Sequence, residues 1–145
     1  MTAQTTTSTH LTKLTGKQIA GNGLLAIGVA IGVNVVVRLI LGALATIPAD
    51  FPPMQLPAIA FFTALYGAGA TVVYGLINRL ASNPPRVWLI AVLIGFVLTA
   101  LPNLALAANP AAAPFPGGTT QLFTLLLVYH VAALIVYYVL IPRRR

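Results

Sequence analysis

The sequence predicts an all-α polytopic membrane protein, a four-transmembrane-helix bundle with both termini on the cytoplasmic side (N-in/C-in). Three observations carry that expectation. The 145 residues are 59% hydrophobic and 6% charged, with a mean hydropathy of +0.94, which leaves too little polar surface to cover a water-soluble domain. Four long apolar runs, at about 19–46, 57–78, 85–107 and 120–141, are separated by segments rich in proline, glycine or arginine. Seven of the eight basic residues, Lys13, Lys17, Arg79, Arg86, Arg143, Arg144 and Arg145, then fall on one side of the membrane, which the positive-inside rule makes cytoplasmic.

Residues 1–17 read as a polar cytoplasmic tail and 18–145 as the membrane domain. Met1 to Thr12 is rich in Thr and Ser without apolar periodicity, so it is expected to be mobile or to order only against a partner. The first span is an almost unbroken apolar run from Ile19 to Ile47. As a helix it would be roughly 43 Å long, more than the ~30 Å hydrocarbon core of a bilayer. Ala43-Leu44-Ala45 imitates a signal-peptide cleavage site, but the run before it is too long for a signal core and holds Asn34 and Arg38, so a retained span is expected.

Pro48, Pro52 and Pro53 end that span, and Pro57 suits the opening turn of the second. Asn83 followed by Pro84 and Pro85 is a strong start for the third, which holds Trp88 near one end and Pro102 near the other. Pro102 should bend the helix and free a carbonyl, which neighbouring helices or Thr99 and Asn103 can satisfy. Residues 109–120 form an irregular loop, Thr119 or Thr120 caps the fourth span, and Pro142 with the terminal arginines stops it. Trp88, Tyr137 and Tyr138 then fall near the cytoplasmic interface, where amphipathic rings are favoured. The Ala-Leu-Ala and Pro motifs at 43–53 recur 62 residues later at 105–116, the pattern of a duplicated hairpin or of low-complexity loops.

The intramembrane polar residues are Asn34, Arg38, Asn103 and His130. Arg38 lies near the outer boundary, either as a snorkelling or interhelical arginine, with Asp50 a possible partner, or as an anion or lipid-headgroup site. Asn34, one turn earlier, is expected to bond Arg38 or another span. His130, at mid-span, needs a partner for its donor and its acceptor from a neighbouring helix. Its functional readings are axial ligation of a haem or chlorin and a step in proton transfer. Small residues at four-residue spacing, Gly28 with Gly32 and Thr63, Gly67, Thr71 with Gly75, are expected to be helix-packing faces within the chain, or between copies, with the second span central.

With an Asn and Arg late in the first span, Pro-rich outer loops and Tyr129-His130-Val131-Ala132-Ala133 before a basic end, the chain resembles a family of small, uncharacterised bacterial four-span membrane proteins over residues 15–143. The resemblance implies a bacterial inner membrane location. It also implies that Asn34, Arg38 and His130 matter as a set, and it carries no established activity.

Composition excludes several function classes. Without cysteine there is no disulfide, thiolate metal site or cysteine nucleophile. With Asp50 as the only acid, paired-carboxylate catalysis is excluded within one chain. The basic residues form no face interleaved with aromatics, which argues against nucleic acid. The expectation is a non-enzymatic accessory or structural subunit, in contact with the lipid bilayer and with itself or other membrane subunits, for which the sequence requires no cofactor or metal. A small transporter or channel using Asn34, Arg38 and His130 is the alternative, and a pigment- or haem-binding subunit through His130 is a third.

Overall fold

The computed structural model describes residues 13–144; the expectations for the tail at 1–12 and for Arg145 lie outside them. Four α-helices account for most of these residues: α1, Gly16–Leu44; α2, Leu56–Leu80; α3, Pro84–Ala108; and α4, Thr120–Leu140. Each is long and apolar enough to cross a membrane, as expected of a multi-pass protein, and no strand occurs among the described residues.

Each helix begins where its local chemistry can satisfy free amide groups. At α1, Thr15 accepts a hydrogen bond from the Gln18 amide while Gln18 accepts from the Thr15 amide, a reciprocal box. That box lets the helix start ahead of Gly21, Asn22 and Gly23 and run straight through them. Proline opens α2, and Asn83 caps α3 by accepting from the Arg86 amide. Thr119 caps α4, and the Thr120 hydroxyl reaches across the loop to the Ala107 carbonyl at 2.8 Å. The structure continues α3 through Pro102. Of the expected donors, Thr99 and Asn103 are engaged elsewhere: the Thr99 hydroxyl bonds the carbonyls of Gly95 and Phe96, and Asn103 turns toward α4.

The helices form an open ring in the order α2, α1, α4, α3. Helix α1 packs against α2 and α4, and α4 packs against α1 and α3, whereas α2 and α3 barely touch. The second span is therefore not the central one. Close approach explains the α1–α2 seam: a Cβ on Gly23 would stand 2.3 Å from the Thr71 hydroxyl, and one on Gly67 would stand 2.5 Å from Ile27. The other expected packing glycines behave differently. A Cβ on Gly28, Gly32 or Gly75 would meet nothing within 4 Å among the described residues. The expected intramolecular GxxxG contact of α1 is thus absent.

Two apolar clusters fill the ring. One, at the end holding the start of α1, the 81–83 connector and the end of α4, gathers Ile19, Ala26, Ala30, Tyr74, Trp88, Tyr137 and Ile141. The other, at the opposite loop end, gathers Leu41, Phe51, Met54, Ile59, Phe123 and Leu126. There the two long loops meet through Phe51, which sets its ring edge-on to Phe115 and Phe123. Gly117 takes φ +73 beside Asp50 and Pro48, a turn that disfavours any side chain. Each loop also holds a short 3₁₀ turn, at Pro52–Met54 and Pro110–Ala112. These turns do not keep the 62-residue offset of the sequence motifs.

Candidate functional site

The polar groups of the spans first act as staples between helices. Asn22, 4% exposed, donates to the carbonyls of Ile141 and Arg143, tying the start of α1 to the end of α4. Asn78 pairs with both backbone groups of Leu14, and the Trp88 indole donates to the Tyr138 carbonyl. At mid-bundle the Asn34 amide donates to the Thr63 hydroxyl at 2.9 Å, and the Tyr137 hydroxyl donates to the Thr63 carbonyl. Thr63 thus joins α1, α2 and α4 at one residue. Asn34 bonds another span, one of its two expected choices.

Arg38 is organised separately. Its Nε donates to the Met54 carbonyl at 2.9 Å, and its Nη1 lies where a Cβ on Gly42 would be, 2.6 Å away. Helical side chains ordinarily lean toward the N-terminus, but the gap at Gly42 lets this one run toward the loop end, which shortens its path to the interface. The expected pairing with Asp50 is not found among the described residues; the backbone of the proline turn takes that role.

Because α2 and α3 stand apart, a cavity of about 350 Å³ opens between them, with α4 as its floor. Asn34, Asn103 and His130 all line it, and Arg38 does not, so the three-residue set of Asn34, Arg38 and His130 is split. A second cavity of about 250 Å³ continues toward Trp88 and shares Tyr66, Thr99, His130 and Ala133 with the first. Asn103 and His130 meet across it because α3 and α4 run antiparallel and their side chains lean toward opposite ends.

The histidine tautomer follows from its partners. Nδ1 lies 2.9 Å from the Leu126 carbonyl, which can only accept, so Nδ1 carries the proton. Nε2 is then a lone-pair acceptor, held loosely by the Asn103 amide at 3.5 Å. Two further atoms of the lining residues have no hydrogen-bond partner among the described residues: Asn34 Oδ1 and the Tyr129 hydroxyl, on side chains 2% and 5% exposed. Tyr129, Thr63 and Tyr66 are not among the polar site residues expected from the sequence. The available signal was Tyr129 itself, a tyrosine deep in a span rather than at an interface, where its hydroxyl is expensive to bury alone. No group of three metal-ligating side chains forms among the described residues.

No curated protein and no solved structure matches this chain. The model of one family of unknown function, DUF6069, covers residues 15–145, and this chain belongs to that family.

Proposed function

We propose that the chain is a non-enzymatic accessory or structural membrane subunit that docks a second transmembrane helix, from another copy or from a larger complex, on the outer face of α1. One observation supports this above others: Gly28 and Gly32, one turn apart, meet nothing within 4 Å. Two glycines on one face bare the backbone, so a partner helix can approach closely and gain dispersion and weak Cα–H···O contacts unavailable against lipid. Around them that face is otherwise bulky, with Leu24, Val36 and Leu39 exposed. The staples at Asn22, Thr63 and Asn78 fit a scaffold, since they hold helices rather than a reacting group.

The proposed setting is a bacterial cytoplasmic membrane with both termini inside. Supporting it are the basic residues at the end of the bundle that holds the start of α1 and the 81–83 connector, where Lys13 Nζ donates to the Arg79 carbonyl at 2.7 Å. Cross-linking and native mass measurement on mildly solubilised protein test the docking. Because the chain has no cysteine, a single Leu25→Cys variant should form disulfide-linked dimers or capture a partner, and Gly28→Leu with Gly32→Leu should abolish this. A strict monomer without a co-purifying subunit overturns the proposal. Labelling of Ser82→Cys and Phe115→Cys from opposite compartments tests the orientation.

A further inference from the structure

We infer that the paired cavities between α2 and α3 bind one uncharged, lipid-soluble molecule with a carbonyl- or hydroxyl-bearing ring, of quinone or quinol chemistry. Four observations carry this. First, the two cavities share His130 and Thr99, so they adjoin at a polar waist flanked by apolar arms, an arrangement that suits a head with a tail. Their combined size suits a substituted ring followed by a chain.

Second, no charged side chain among the described residues lines either cavity, which selects a neutral occupant over a fatty acid or phospholipid head. Third, the waist presents both halves of a hydrogen-bonding pair. His130 Nε2 accepts from a hydroxyl, and the Asn103 amide, only 3.5 Å away and weakly engaged, donates to a carbonyl. Both redox forms of such a ring are therefore recognised without moving the protein. Nearby, Asn34 Oδ1 and the Tyr129 hydroxyl remain buried and unpartnered, an acceptor and a donor that the fold has not used. A buried polar atom in that condition is a standing cost unless something bonds it.

Fourth, the mouth is walled by flat rings. Phe62 and Tyr66 stack with centroids 6.2 Å apart and 29° between planes, and Tyr66 stands 6.2 Å from the His130 ring. Both Phe62 and Tyr66 line the first cavity and are about half exposed, which leaves them open to lipid-dissolved molecules entering sideways. An aliphatic alcohol would use the hydrogen bonds and leave that wall idle; a planar ring uses both.

The test is titration of the protein, reconstituted in phosphatidylcholine nanodiscs, with decylubiquinone and with its reduced form, followed by quenching of Trp88, the sole tryptophan and a lining residue of the second cavity. Saturable one-to-one binding is expected, weakened about tenfold in His130→Leu by loss of one hydrogen bond and retained in His130→Gln. Thr99→Phe, which plugs the waist, should abolish saturation, and it serves as the reading if His130→Leu does not fold. Equal competition by n-decanol would overturn the assignment of a ring. Quenching that rises linearly and identically in all variants would overturn the site. A monomer that binds the ring breaks only the docking proposal, and an oligomer that does not bind breaks only this one.

Discussion

The seam between α1 and α2 and the gap between α2 and α3 are built from similar residues and do opposite things. Both contain glycines, threonines and alanines at helical spacing. On the α1 side Gly23 and Gly67 let the backbones close until Thr71, Ile27 and Tyr137 fill the space, and Asn34 fastens the contact through Thr63. On the α3 side Gly69 and Gly95 face nothing within 4 Å, and the Thr99 hydroxyl bonds its own helix instead of reaching across. Small residues therefore permit close packing without causing it. What distinguishes the seam is a matching protrusion opposite each glycine, and a polar side chain that has a partner on the other helix.

The sharpest way to break this contrast is overpacking the seam. Gly67→Leu should destabilise the bundle by at least about 1–3 kcal/mol, because Ile27 and the Tyr137 ring occupy the space from two sides. Unfolding in mixed micelles of increasing SDS fraction measures it; a neutral result means the seam is not close-packed. Next in size, Asn22→Ala should cost about 1–2 kcal/mol through the carbonyls of Ile141 and Arg143 that it leaves without a donor. The same titration reads it, with faster exchange of the amides near residue 141 as its signature.

Arg38→Met should cost less, about 0–1 kcal/mol, since losing the Met54 bond is offset by removing a charge from the span. Gly42→Ala should displace the guanidinium with little loss of stability, visible as a shifted arginine side-chain NMR signal. The smallest effect sharpens the contrast most. Gly95→Ala faces the gap and should be neutral or stabilising by up to about 1 kcal/mol, opposite in sign to the same change at Gly67.

The spans were legible because hydropathy and proline punctuation need no tertiary information. So were local caps, such as Asn83 and Thr119, since an acceptor side chain at a helix start acts on its own backbone. The ring order was not. In a soluble bundle the apolar stripe of each helix announces its neighbour, but here the lipid-facing side is as apolar as the core: Leu24 is 73% exposed and Leu41 is buried, with nothing in either residue to say so. For the same reason Gly28 and Gly32 read like Gly67 although they face outward. Polar residues announced that they needed partners, and Asn34 found one, but spacing along the chain does not say which carbonyl lies across the bundle. That is why Arg38 was matched to Asp50 rather than to Met54. The cavity was invisible for a simpler reason, because a space is a property of two helices that fail to meet.

The tie from Asn22 to Ile141 and Arg143 bears on how the protein is made. Asn22 leaves the ribosome well before its acceptors, which follow it by 119 and 121 residues along the chain. Until then the first span resides in the membrane with that amide unbonded by its final partners. Closure of the ring therefore waits on α4, and a chain cut short before Ile141 would lack the latch that ties the start of α1 to the end of α4.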